Sequence, residues 1–104
     1  MQQHIQGATC PVLMAFTATW CAPCKAMHPT LDEMTKKHEG ALSVLTIDIT
    51  KEPGLAQEFN LASVPTYVLL TNGKEVGRVV GANKPALVAL FQQGADIVSR
   101  GCVS

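Results

Sequence analysis

The chain has 104 residues, of which 47% are hydrophobic and 15% are charged. This length and composition predict one compact domain that spans residues 1–104. Eight basic and eight acidic residues cancel, so the sequence lacks the excess positive charge that binds a nucleic-acid backbone or an anionic membrane. We therefore expect partners to be bound through apolar or main-chain contacts, with no nucleic acid and no membrane among them.

The N-terminal segment and the use of cysteine both favour a cytoplasmic protein. The first seven residues contain no Lys or Arg, and the apolar run Val12 to Phe16 is too short for the core of a signal peptide or for a membrane span. Cys21 and Cys24 form one close pair, whereas Cys10 and Cys102 are isolated near the two ends. This pattern differs from the disulfide framework of a small secreted domain, although a precursor trimmed of its signal would look the same.

The first two predicted elements are a buried strand and a long helix. Val12 to Phe16 is an uninterrupted apolar run, which is typical of a strand buried on both faces. From about Cys21 to His38, apolar residues recur at intervals of three and four, which predicts a helix with one buried stripe. The stripe consists of Cys24, Met27, Leu31 and Met34.

A second strand and a short helix are predicted next. Gly40 ends the first helix, and Ala41 to Ile47 contains enough β-forming residues to predict a second buried strand. The turn residues Pro53 and Gly54 then introduce a short helix, roughly Leu55 to Phe59.

The rest of the sequence predicts a hairpin and a final helix. Tyr67 to Leu70 and Glu75 to Val80 flank Asn72-Gly73, a strong signal for a tight turn between antiparallel strands. Asn83 is a suitable cap for the last helix, and Gly94 is a weak point inside it. The apolar face of this helix consists of Leu87, Leu90, Phe91, Ile97 and Val98.

The order of these elements is strand, helix, strand, helix, hairpin, helix. A strand–helix–strand crossover followed by an antiparallel hairpin predicts a mixed sheet of about four strands. Because a strand that is buried on both sides needs cover on both sides, we expect helices on both faces of the sheet. The predicted fold class is α/β.

The spacing of Cys21 and Cys24 indicates redox chemistry. Cys21 stands at the start of the first helix, where unpaired backbone N–H groups and the helix dipole lower the pKa of a thiol and favour the attacking thiolate. Cys24 follows one turn later on the same face, within reach of a disulfide and more deeply placed. Pro23 suits the first helical turn and leaves Cys21 on the solvent side, and Trp20 offers a flat apolar rim.

Two other interpretations of the cysteine pair are an inert pair and a metal site. A buried and inert pair is possible in principle, but a Cys-x-x-Cys at a helix start after a buried strand is specific for redox chemistry. A zinc site needs two further ligands at suitable spacing. Cys10, Cys102 and the three histidines form no second close pair, so we expect no metal.

The segment Phe16-Thr17-Ala18-Thr19-Trp20-Cys21-Ala22-Pro23-Cys24-Lys25 resembles the active-site segment of thioredoxins, usually written Trp-Cys-Gly-Pro-Cys-Lys. The resemblance runs from about Val12 to the final helix. Further matches are Pro29 within the helix, Ile47-Asp48 at a strand end, Val64-Pro65-Thr66 at the family's cis-proline loop, Asn72-Gly73 in the last hairpin, and Val80-Gly81-Ala82 after it.

The resemblance implies a thioredoxin-like fold and a thiol:disulfide oxidoreductase that reduces protein disulfides. It implies no bound cofactor, disulfide-containing proteins as substrates, and a separate reductase as electron donor. Cys21 would attack and Cys24 would resolve, while Pro65 would be cis and would leave the backbone of Val64 able to pair with an extended substrate. Without the family, Val64-Pro65-Thr66 is merely a turn before a strand. The substrate-binding residues implied are Trp20, Ala22, Pro23, Val64, Pro65 and Gly81.

The sequence also departs from the family pattern. Only 20 residues precede Cys21, so we expect the family's first strand to be missing, which would uncover a sheet edge; we still favour a monomer over a dimer. Ala15 stands where thioredoxins hold a buried Asp that helps to move the proton of the resolving cysteine. Val44 stands at the position of the usual buried Lys partner. His28 lies four residues after Cys24 on the same helix face and is a candidate base in place of that Asp. The alternative is a partly exposed helical histidine that has no role in the reaction.

Two other functions fit parts of this sequence. One is a binding module whose surface around Trp20, Val64 and Gly81 holds a partner while the cysteines are incidental. The other keeps the thiol chemistry but reverses its direction, which gives a disulfide oxidant or isomerase. Mutation of both cysteines would leave partner binding by a binding module unchanged but would abolish the turnover of an enzyme. A measured reduction potential distinguishes a reductase from an oxidant or isomerase.

Overall fold

The computed structural model describes residues 11–38, 42–71 and 73–97. Cys10, Ala41, Asn72, Val98 and Cys102 lie outside these residues, as does the segment that would hold the family's first strand. The elements in chain order are β1 (Val12–Thr17), α1 (Ala22–Lys37), β2 (Ser43–Asp48), α2 (Pro53–Glu58), β3 (Thr66–Thr71), β4 (Lys74–Val80) and α3 (Lys84–Ile97).

The strands form one four-stranded sheet in the order β2-β1-β3-β4. β1 and β2 are parallel, with α1 as the crossover between them, whereas β1 pairs with β3 and β3 pairs with β4 in antiparallel fashion. The predicted α/β class, the mixed sheet and the antiparallel hairpin are therefore confirmed.

Apolar side chains on the two faces of the sheet form two separate cores, because side chains alternate along each strand. On one face, Leu13 and Ala15 of β1 join the buried residues of α1 and α3. On the other face, Met14 and Phe16 join α2 residues and the Phe59 ring, whose centroid lies 5.4 Å from that of Phe16. Helices thus cover both faces, as predicted.

Strand β2 differs from its prediction as a buried strand. Leu45 is 52% exposed and Ser43 and Thr46 are also exposed, while Ile47 is buried. Among the described strands, β2 is an outer strand of the sheet that pairs with β1 alone, and an outer strand is covered less completely. Its β-forming residues predicted the strand correctly, but its composition did not reveal its position in the sheet.

The helices match the predicted patterns closely. The buried residues of α1 are the predicted stripe of Cys24, Met27, Leu31 and Met34. In α3, the Asn83 side-chain oxygen accepts a hydrogen bond from the Ala86 N–H at 3.1 Å, which confirms the predicted cap. No helix among the described residues is long and apolar enough to cross a membrane.

Gly94 has a packing role that its sequence did not suggest. A Cβ atom at this position would lie 3.2 Å from Leu69 of β3 and 3.3 Å from Leu42, closer than most such contacts. The missing side chain therefore lets α3 approach the sheet closely, and this contact offsets the weak helix propensity of glycine.

We expect Leu87→Ala to lower the free energy of unfolding by about 3 kcal/mol, because it removes a large side chain from a close-packed core. Leu87 is 0% exposed, whereas its neighbour Val88 on the same helix is 38% exposed. Val88→Ala should therefore change stability by less than about 0.5 kcal/mol. Urea unfolding of the oxidised protein measures both; equal losses for the two variants would contradict this assignment of the buried face.

The single tyrosine of the chain permits a direct test of burial at the sheet. Burial raises the pKa of Tyr67 from its ordinary value of 10.0 to about 12. Because the unfolded chain ionises first, the free energy of unfolding should fall as the pH rises between about 10 and 12, and it should be unaffected by this group at lower pH.

Ultraviolet absorbance of the phenolate follows this titration. We expect a midpoint near 12 in the folded protein and one near 10 in urea, the ordinary value for an exposed phenol. Tyr67→Phe supplies the blank. A folded midpoint equal to that in urea would show that the side chain is not buried.

Candidate active site

Strand β1 and helix α1 place Cys21 at one edge of the sheet. β1 ends at Thr17, and a short loop leads to Cys21, which is the N-cap residue of α1. The Cys21 N–H donates a hydrogen bond to the Ala18 carbonyl oxygen at 3.1 Å, which closes this loop. Trp20, immediately before the cap, is 69% exposed. The cysteine therefore follows a tightly turned loop with an aromatic ring on its outer side.

Cys21 and Cys24 are joined by a disulfide, with their Cα atoms 5.3 Å apart. The Cys24 N–H donates a hydrogen bond to the Cys21 sulfur at 3.1 Å. The first turn of α1 contains no acidic residue, so the unpaired N–H groups and the helix dipole act on this sulfur without an opposing charge. In the reduced state, this arrangement favours a thiolate at Cys21.

The predicted difference in depth between the two cysteines is wrong for the disulfide form. Cys21 is 3% exposed and Cys24 is 4% exposed, while Ala22 and Pro23 between them are exposed. Cys21 packs with Ala18 and Cys24 in one cluster, so Pro23 does not leave its sulfur on the solvent side. The position of Cys21 at the helix cap, rather than its exposure, distinguishes the two thiols.

The loop before β3 lies against the cysteine pair. The Val64–Pro65 peptide bond is cis, and the Val64 side chain packs against Cys21 and Cys24. The Pro65 carbonyl oxygen accepts a hydrogen bond from the Gly81 N–H at 2.8 Å. Gly81 has a φ of +94°, a conformation that favours glycine. The structure thus brings Val64, Pro65 and Gly81 together with the disulfide, although the sequence placed them far apart.

A small cavity lies behind the disulfide, on the inner side of Cys24. Its volume is about 10 Å³, and the residues that line it beside Ala15 include Thr17, Cys24, His28, Thr46 and Tyr67. Ala15 pairs with Thr46 on β2 and with Tyr67 on β3. The cavity therefore lies where the small side chain of a central strand leaves room between its two neighbours.

The match of Val44 to the position of the family's buried lysine stays a prediction. Val44 pairs with Leu13, and it is Thr46 that pairs with Ala15. Val44 packs against the core between the sheet and helices α1 and α3. The sequence analysis missed Thr46 and Tyr67 as neighbours of Ala15; strand register is the signal that identifies them, and it depends on pairing between distant segments.

A second, larger hollow of about 170 Å³ lies beside the first turns of α1, where Lys25, His28 and Asp48 supply its charged and titratable groups. Both the Thr50 hydroxyl and the Thr50 N–H donate hydrogen bonds to the Asp48 carboxylate, at 2.6 and 2.9 Å. These bonds hold the pKa of Asp48 below its usual value. A negative charge is therefore fixed at the end of β2, beside this hollow.

The described part of the chain contains no group of three or more His, Cys, Asp or Glu side chains that could hold a metal ion. The chemistry available to these residues is that of the two sulfurs, one of them at a helix cap, next to a loop with a cis proline. This combination matches what the resemblance to thioredoxins implies for the site.

Comparisons with known proteins agree with this geometry. The sequence matches the family model of thioredoxin over residues 1–93. A thioredoxin from Mycobacterium bovis is 40% identical over 88 residues, which are 85% of this chain and 74% of that protein. A bifunctional thioredoxin reductase/thioredoxin from Mycobacterium leprae is 41% identical over 88 residues, or 85% of this chain, but these make up only 19% of its own length.

A solved structure shows the same likeness in three dimensions. The crystal structure of thioredoxin NaTrxh from Nicotiana alata has a TM-score of 0.79 and 36% sequence identity to this chain, and the match covers 89% of this chain and 83% of that one. The fold, the Cys21–Cys24 disulfide and the family match lead to the same conclusion. The chain belongs to the thioredoxin family and is a thiol-disulfide oxidoreductase.

Proposed function

We propose that this protein reduces disulfides in other proteins, with Cys21 as the attacking thiol and Cys24 as the resolving thiol. The observation that carries the proposal is the position of Cys21 as the N-cap of α1, where its sulfur accepts a hydrogen bond from the Cys24 N–H. The reaction needs an ionised sulfur, and a helix N-terminus is the place in a protein that favours one.

The reaction takes two exchange steps. The Cys21 thiolate attacks one sulfur of the substrate disulfide, so that a mixed disulfide forms and the other substrate sulfur leaves as a thiolate. Cys24 then loses its proton and attacks the Cys21 sulfur, which releases the second substrate thiol and forms the Cys21–Cys24 disulfide. Two electrons pass from the protein to the substrate, and no bound cofactor is needed because the two sulfurs carry them.

The proposed substrate-binding surface consists of Trp20, Ala22, Pro23, Val64, Pro65 and Gly81. The contact of Val64 with the cysteine pair supports it. In the part of the chain that the structure describes, neither the N–H nor the C=O of Val64 has a backbone partner outside the helices and strands. These groups are able to pair with an extended substrate segment beside Cys21.

The remaining parts of the proposal concern the setting of the reaction. We propose a monomer of one domain over residues 1–104 that acts in the cytoplasm. A separate reductase would return electrons to the Cys21–Cys24 disulfide. The Mycobacterium leprae relative supports this donor, because its name combines a thioredoxin reductase with a thioredoxin.

Reduction of insulin by a thiol donor tests the function. The wild-type protein should accelerate it, Cys21→Ser should abolish the acceleration, and Cys24→Ser should accumulate a mixed disulfide at Cys21, since the resolving thiol is missing. The equilibrium of the Cys21–Cys24 pair with glutathione fixes the direction of the reaction. A potential more reducing than that of glutathione is expected.

Two results would contradict the proposed reduction of protein disulfides. An oxidising potential would make the protein a disulfide oxidant or isomerase. No turnover, together with partner binding that survives Cys21→Ser and Cys24→Ser, would make it a binding module. The matched control is Ser63→Cys, which adds a thiol near the site and should not restore turnover to the Cys21→Ser variant.

Trp20 should contribute to binding of protein substrates. We expect Trp20→Ala to raise the KM for insulin about fivefold, which corresponds to the loss of about 1 kcal/mol of apolar contact, with a smaller change in kcat. Leu45→Ala is the control, because Leu45 is also an exposed apolar side chain but lies on the outer strand β2. An equal effect of both substitutions on KM would show that Trp20 is not part of the proposed substrate-binding surface.

A further inference from the structure

In the resolving step, the proton of the Cys24 thiol has to pass to another group. Cys24 must lose a proton before its sulfur can attack. Its side chain is 4% exposed and lies on the buried stripe of α1, so bulk water reaches it poorly, and burial disfavours the charged thiolate. A proton acceptor within reach of Cys24 is therefore needed on the inner side of the site.

The cavity behind Cys24 supplies a path for that proton. Its volume of about 10 Å³ is close to the smallest space that holds one water molecule. A buried water also needs two to four polar partners, and five of the residues that line the cavity have a polar side-chain atom: Thr17, Cys24, His28, Thr46 and Tyr67. Size and lining together fit one water molecule in hydrogen-bonding reach of this wall.

Only one group in the wall is suited to accept a proton at neutral pH. Burial raises the pKa of Tyr67 to about 12, so its phenol stays protonated, and the hydroxyl groups of Thr17 and Thr46 do not titrate in this range. The remaining lining residue with a basic group is His28, and imidazole is the side chain that commonly changes charge between pH 5 and 8.

We propose that His28 accepts the proton of the Cys24 thiol, through one water molecule in this cavity, as Cys24 resolves the mixed disulfide. The inference rests on the proposed function. In the step, the Cys24 thiol gives its proton to the water, and the water gives one to the imidazole. The bond between Cys24 and Cys21 forms, the bond from Cys21 to the substrate sulfur breaks, and the substrate thiolate takes a proton from solvent.

The position of His28 suits both ends of this transfer. It lies one helical turn after Cys24 and lines the cavity, while its side chain is also exposed to solvent. It is thus able to receive a proton on the inner side and to release it to bulk water on the outer side. His28 is here a relay group that acts on Cys24 through water, without contacting the substrate.

Several charged groups lie near His28 on the outer side of the site. Lys25 and Asp48 line the same outer hollow, and Asp32 follows His28 by four residues on α1. Lys25 carries a positive charge, and Asp32 and Asp48 carry negative charges. On the inner side, the titratable neighbours are Cys24 and Tyr67.

A chromogenic aromatic disulfide separates the two steps in one rapid-mixing experiment. The first thiol is released when Cys21 attacks, and the second when Cys24 resolves. We expect His28→Gln and His28→Ala to slow the second release about 100-fold, a typical loss of general-base assistance, with the first release changed less than about twofold. The dependence of the second release on pH between 5 and 8 should disappear, and added imidazole should restore part of the rate in His28→Ala.

Controls separate this inference from the proposed function. Cys24→Ser should show the first release alone. His38→Gln, at the opposite end of α1, should leave both releases unchanged. If the wild-type protein shows no second release, the proposed function fails. If the wild-type shows both releases, and His28→Gln leaves the second unchanged in rate and pH profile or slows both equally, the role of His28 alone is refuted.

Discussion

The hydrogen bond from the Cys24 N–H to the Cys21 sulfur is the interaction on which the site depends. It exists because Cys21 is the N-cap of α1, and this cap lies four residues after Thr17, the end of β1. β1 is paired on both sides, by β2 and β3, and its central residues are buried. The central strand thus fixes the place of the helix N-terminus. It thereby also fixes the position of the Cys21 sulfur, whose negative charge the helix N–H groups stabilise.

The topology of the sheet brings the other residues of the site to the same edge. β3 runs antiparallel to β1, so its first residue, Thr66, pairs with Phe16 near the end of β1. β4 runs antiparallel to β3, so its last residue, Val80, also pairs with Thr66. The cis-proline loop precedes β3 and Gly81 follows β4. Loops that are distant in sequence therefore meet at the cysteines, held together by the bond between Gly81 and Pro65.

The sequence predicted the features that depend on local pattern. The helix stripe, the Asn83 cap and the hairpin are confirmed, and each is encoded within a short segment. The resemblance to thioredoxins, which rests on several such segments, is also confirmed. Features set by distant contacts were not predictable in this way. The exposure of β2 follows from its place in the sheet, and the pairing of Ala15 with Thr46 follows from register. The equal burial of the two cysteines follows from the loop packed against them.

Ala15 shows how stability and chemistry are balanced at this edge of the sheet. A charged side chain here would lose its hydration, at a cost of several kcal/mol unless it were fully paired. A cavity of about 10 Å³ costs only about 0.2 kcal/mol at the usual penalty per unit volume. The small residue therefore leaves a space at little expense in stability, and the polar residues that line it with Ala15, among them Thr46, Tyr67 and His28, decide whether that space serves proton transfer.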